Sequence, residues 1–138
     1  MFLRLRRALP LVALATMALG GCETTTSPPP PPAPDPITKT FSGTLAINGA
    51  VVHTFTPNQI GEINVTLKVL APVSTVTIGM GLGVWTGTSC NVLIADDQAI
   101  LNELLIGTAT GVAEFCARLN DVGQLTAPTD YTIEVKHF

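Results

Sequence analysis

An all-β fold, an antiparallel β-sandwich or jelly roll of about eight short strands, is predicted for residues 37–138. Three observations carry that prediction. The segment is dense in Thr, Val, Ile and Gly and poor in helix signals. Its clearest stretch, residues 62–70, alternates with period two. There Ile63, Val65, Leu67 and Val69 interleave with Glu62, Asn64, Thr66 and Lys68, the pattern of a strand with one wet face. Turn signals then recur at the short spacing of a sandwich rather than at the longer spacing of βαβ units.

In chain order, strands are expected over 40–47, 51–56, 62–70, 75–84, 91–95, 104–108, 113–119 and 131–137. Asn48-Gly49, Pro57-Asn58, Ala71-Pro72, Asp96-Asp97, Asp121-Val122-Gly123 and Ala127-Pro128-Thr129-Asp130 punctuate them. Residues 99–105 could instead make a short helical turn, since Ile100, Glu103 and Leu104 have that spacing.

Ahead of this domain lie two segments of different character. Residues 1–7 (MFLRLRR) carry three Arg, and in residues 8–19 Thr16 is the only polar side chain. A basic start and about a dozen apolar residues make a secretory signal peptide, too short for a spanning helix of roughly 20 residues. Leu19-Gly20-Gly21-Cys22 follows and resembles the lipobox of bacterial lipoproteins. The resemblance implies removal of residues 1–21 and a lipid on the Cys22 thiol. A single acyl chain holds a protein only marginally, whereas two or three hold it durably. In Gram-negative lipoproteins an Asp after the modified Cys resembles an inner-membrane retention signal. Glu23 mimics it weakly, so an outer-membrane location is expected if the cell is Gram-negative.

Residues 22–36 form the tether. Seven of the nine residues from Pro28 to Pro36 are proline, which excludes sheet pairing and helix continuation. A polyproline II spacer of this length spans on the order of 28 Å. A stiff spacer and a ligand for a proline-reading module are both compatible with it.

Charge narrows the partners. The chain has 7 basic and 10 acidic residues. Beyond Cys22 only Lys39, Lys68, Arg118 and Lys136 remain against all ten acidic residues, a net charge of −6. That balance provides no footprint for a nucleic-acid backbone and no polybasic cluster for an anionic leaflet.

With Cys22 committed to lipid, Cys90 and Cys116 are an even pair in an oxidising compartment, and a disulfide is expected. Neither a Cys-x-x-Cys spacing nor a flanking helix marks them as a reactive dithiol.

Three stretches carry a family likeness: residues 55–67 (FTPNQIGEINVTL), 79–90 (GMGLGVWTGTSC) and 114–135 (EFCARLNDVGQLTAPTDYTIEV). Together they resemble the bacterial pre-peptidase C-terminal domain family, small β-sandwiches attached to secreted enzymes and surface proteins. The resemblance implies a non-catalytic accessory or binding module and carries over no catalytic residue. Two departures stand out: family members usually ride on an enzyme, and they are often more aromatic.

The residues themselves offer little catalytic chemistry. Ser27, Ser42, Ser74 and Ser89 lie in no Gly-x-Ser-x-Gly elbow. His53 and His137, the only histidines, fall within predicted strands and are expected at strand surfaces or edges. No enzyme is expected. Asp96, Asp97 and Asp121 are the first candidates for an oxygen-rich calcium site, although Asp and Asn also close turns on their own backbone. Gly79, Gly81 and Gly83 strip one face of a strand that ends in Trp85. Either a sugar or a partner protein lies across that bare face, with Trp85 as a stacking ring, or the domain's own chain packs there and Trp85 covers the core end. The function expected from the whole is a membrane-anchored, non-catalytic envelope module that docks a protein. The alternative is a carbohydrate- or calcium-binding sandwich.

Overall fold

All eight predicted strands form in the computed structural model, which describes residues 27–138. They are β1 (Ile37–Leu45), β2 (Ala50–Phe55), β3 (Gly61–Ala71), β4 (Ile78–Trp85), β5 (Cys90–Ala99), β6 (Leu104–Ala109), β7 (Phe115–Asn120) and β8 (Thr129–His137). No helix occurs among the described residues. The signal segment 1–21, the lipobox cysteine Cys22 and Glu23 lie outside them. Ser27 to Pro32 are exposed and without regular structure, as a proline run dictates. Ala33–Phe138 is one compact unit.

The strands divide into two four-stranded antiparallel sheets of order β1-β8-β3-β6 and β2-β7-β4-β5. Strands pair from the ends of the domain inward: β1 with β8, β2 with β7, β3 with β6 and β4 with β5. A single long hairpin wrapped over two sheets gives that order, and it is the jelly-roll form of the sandwich. The period-two pattern places one face of each strand in the core. Ile63, Val65 and Leu67 of β3 meet Ile133 and Val135 of β8, all five with no exposed surface. Ile78, Met80 and Leu82 of β4 and Leu119 of β7 close the core from the other sheet.

Two expectations fail. Asp96-Asp97 makes no turn, because β5 runs through it to Ala99. Two register shifts along the β4–β5 pair absorb the extra residues, and the Asp96 carboxylate accepts the Gln98 amide at 2.8 Å. The helical turn across 99–105 is also absent. Asn102 takes a positive φ of 69°, Glu103 N donates to Ile100 O, and the chain reverses tightly. That turn docks on β3 where its pairing with β8 slips beyond Leu67. Leu67 N donates to Glu103 O at 3.0 Å and Asn102 N to Leu67 O at 2.7 Å. These bonds extend the β3–β6 ladder by one residue beyond Thr66–Leu104 and satisfy both backbone groups of Leu67.

Candidate functional site

The outer face of the β2-β7-β4-β5 sheet carries the glycine strip. Ile78, Met80 and Leu82 point into the core, so Gly79, Gly81 and Gly83 point outward, yet all three are buried. What covers them is the same chain. The Asn120 side chain lies over Gly79 and Val92 packs on Gly81, while the Asn91 carbonyl stands where a Cβ of residue 83 would be. The face expected to lie open for a sugar or a protein is therefore closed at the glycines themselves.

The reason is the disulfide. Cys90 and Cys116 are joined, with their Cα atoms 5.8 Å apart. They sit on β5 and β7, which flank β4 on opposite sides. Strands two places apart in a sheet normally lie about 9.5 Å apart. The start of β5 must lean over β4 to close that gap, and Gly83, paired with Cys116, provides the room.

Trp85 ends the strip. It follows the outward positions of β4, remains half-buried and takes no part in the core cluster. Its backbone N donates to Glu114 O at 2.9 Å, which fixes the strand end. The ring lines a shallow groove with Ala50, Val52, Thr88, Ser89, Cys90 and Arg118. Arg118 is exposed, and the ion pair found among the described residues, Lys68–Glu134, does not involve it. Local pairing of Arg118 with Asp121, which their proximity in sequence invites, is absent. The hydroxyls of Thr86 and Ser89 hold the neighbouring loop, 3.1 Å apart, with Thr86 Oγ1 also donating to Ser89 O.

The acidic candidates do not converge. No group of three His, Cys, Asp or Glu side chains placed to hold a metal occurs among the described residues. Asp121 instead serves its own loop. Its Oδ2 accepts the Asn48 amide at 2.8 Å, and its Oδ1 accepts the amides of Gly123, Gln124 and Leu125. The Asn48 amide, with the others behind it, holds the carboxyl below the usual carboxylate range against an opposing push from burial. One side chain thereby ties the β1–β2 turn to the segment after β7. Asp97 lies in β5 and is exposed.

The histidines divide. His53 is half-buried at the side of the sandwich where β1 and β2 form the two sheet edges. It stacks on Phe41 at 4.7 Å and shares a 2.7 Å hydrogen bond with the Tyr131 hydroxyl. Burial lowers its pKa from the ordinary imidazole value and raises that of Tyr131. His137, expected at a surface or edge, is fully buried instead. It is on β8, an inner strand, and stacks against Phe55 at 5.4 Å. The two rings thus serve separate aromatic clusters.

Sequence pattern did not single out the opposite side of the sandwich, where β5 and β6 are the free edges. Leu93 is 64% exposed, Ile106 51%, Leu104 46% and Ile94 39%. Ile100, at the turn that joins the two strands, is also exposed. No family model matches the chain, and no curated protein matches it. In fold it is similar to the crystal structure of the Yersinia pseudotuberculosis-derived mitogen (YPM). The superposition has a TM-score of 0.56 at 14% sequence identity and covers 75% of this chain and 87% of that one. At such identity the likeness concerns the fold alone.

Proposed function

We propose that this chain is a non-catalytic envelope module, held to a bacterial membrane by lipid on Cys22, that docks a protein partner through its β5–β6 side. The observation that supports docking is the exposure of five large apolar side chains, Leu93, Ile94, Ile100, Leu104 and Ile106, on two free strand edges and the turn between them. Apolar surface concentrated on one side of a domain marks an interaction site. β6 has none of the devices that normally blunt an edge. It carries no charge, no proline and no bulge against β3, so its outer backbone groups can accept another strand. An accessory role is also what the resemblance to pre-peptidase C-terminal domains implies. An outer-membrane location is part of the proposal for a Gram-negative cell.

The test is an in-cell crosslink of the tagged protein, read by mass spectrometry beside a Cys22→Ala form. One recurring protein, weakened when the anchor is lost, is the expected result. Absence of any specific protein in both samples would overturn the docking role.

A further inference from the structure

We infer that the groove beside Trp85 is a binding site for a carboxylated sugar, in which the indole stacks on the ring and Arg118 takes the carboxylate. The juxtaposition of Trp85 and Arg118 on the outer face of the β2-β7-β4-β5 sheet carries the inference. It does not rest on the docking role of the β5–β6 side.

Four observations point this way. First, Trp85 is the single tryptophan of the chain and stands outside the core, half-buried on a strand whose other outward positions are glycine. An indole outside the hydrophobic cluster and lining a groove is a ring of the kind that stacks on a flat apolar partner, such as the C–H side of a pyranose. Second, Arg118 projects from β7 opposite Gly81, so no side chain of β4 rises beside it. Its guanidinium has no carboxylate partner among the described residues. An unpaired planar guanidinium presents two parallel N–H donors that match a carboxylate.

Third, none of the seven lining residues is acidic, although the domain as a whole is strongly so. The groove is a local cationic place on an anionic body. That arrangement favours a small ligand with one or few carboxylates over a long polyanion, which the rest of the surface would repel. Fourth, the rim supplies hydroxyls from Thr88 and Ser89, and Val52 adds an apolar wall. A sugar needs such a mixture: one apolar face to cover and several hydroxyls to pair.

The single tryptophan makes the test direct, because with excitation beyond the Tyr131 absorption band any fluorescence change comes from the proposed stacking ring. The full-length protein in detergent is titrated with trigalacturonate and, separately, with its methyl ester. Saturable quenching or a blue shift with the acid, and binding at least about tenfold weaker with the ester, is expected, since a charge-assisted pair is lost. Arg118→Gln should weaken the acid by a similar factor and leave the ester unchanged. Trp85→Ala, followed by calorimetry, should abolish binding of both while the melting temperature holds. Val52→Glu, a change at an already exposed position, is the second variant should Trp85→Ala fail to fold, and it too should abolish binding.

Equal response to acid and ester would overturn the role of Arg118 and leave no carboxylate recognition. No fluorescence change up to ~10 mM of either sugar would sink the site altogether.

Discussion

The two open sides of the sandwich solve the same problem differently. Where β1 and β2 form the edges, Phe41, His53 and Tyr131 bridge the sheets with a ring stack and a 2.7 Å hydrogen bond. Polar residues line the exposed edge of β1, including Lys39, and Ser42 and Thr44 bond across to Thr132 and Asp130 on β8. Where β5 and β6 form the edges, leucines and isoleucines stand in solvent and nothing polar caps β6. A free strand edge is a liability that proteins usually manage with charge, bulges or cover. One side is managed in that way. The other carries Asp96, Asp97 and two register shifts on β5 but leaves β6 bare, and that unguarded strand is the physical ground for assigning interaction to the β5–β6 side.

The largest expected effect strikes the staple that sets the course of β5. Gly83→Ala puts a methyl group into the Asn91 carbonyl, and backbone cannot step aside as a flexible side chain would. Destabilisation by about 3 kcal/mol is expected from overpacking alone. The same substitution should hinder closure of Cys90 to Cys116, because β5 reaches β7 only over residue 83. Free thiols counted by alkylation and mass spectrometry would rise in Gly83→Ala and stay absent in the parent. The loop closed by this disulfide spans 26 positions, so Cys116→Ala should by itself cost about 3 kcal/mol in the chain-entropy account. A thermal melt with an unchanged midpoint in either variant would show that the β5 arrangement does not depend on the staple.

The managed side should give smaller effects. Tyr131→Phe removes the hydroxyl from His53 and should lower stability by about 1 kcal/mol, measured by urea unfolding. The side is also pH-sensitive, and the direction follows from burial. The pKa of His53 is lower in the folded chain than in the unfolded one, so the unfolded state takes up a proton first as pH falls. Stability attached to His53 is therefore complete above the unfolded value of roughly 6.5 and declines as pH drops below it. Asp121 acts in a lower window. Its carboxyl is held down in the folded chain, so its contribution is present above the ordinary carboxylate value and is lost as pH falls through the folded one. Unfolding curves at pH 8, 6.5 and 5 should show a progressive loss in the parent that is blunted in His53→Phe. An identical pH profile in the two proteins would mean that His53 is not the group responsible.

These contrasts explain what was legible in the sequence. Alternation in residues 62–70 and the turn residues located all eight strands, because a strand with one dry face must alternate. Parity of cysteines indicated the disulfide, but nothing in spacing shows that it passes over a third strand. The alternating glycines were equally visible, and the pattern states only that something comes close. That the visitor is Asn120, Val92 and the β5 backbone is a tertiary fact. Asp96-Asp97 has turn composition, and only the bulged pairing with β4 keeps it in a strand. His137 shares the period-two face of Tyr131, Ile133 and Val135, so the alternation already aims it at the core, and the inner position of β8 buries it. The bare edge was hidden for a different reason. Leu104-Leu105-Ile106 is apolar throughout, so the run shows no period from which an outward face could be read.

The smallest effect on stability is expected at that bare edge, and it is also the most informative. Ile106 is half exposed on the outer face of β6, paired with Asn64 on β3, and its side chain lies outside the core cluster. Ile106→Lys should change the unfolding free energy by no more than about 0.5 kcal/mol, as exposed substitutions do. A lysine at an edge is nonetheless one of the devices that block strand addition, and it puts a charge beside the exposed Leu104 on the outer face of β6. Loss of the in-cell crosslink with an unchanged melt would tie docking to the β5–β6 side. Retention of the same crosslinked protein, at the same yield, would move the docking surface elsewhere and leave the contrast between the two sides a matter of edge closure alone. The equivalent change on the managed side, Thr40→Lys on β1, is the matched control: it should leave the crosslink intact, since that edge is already lined by polar side chains.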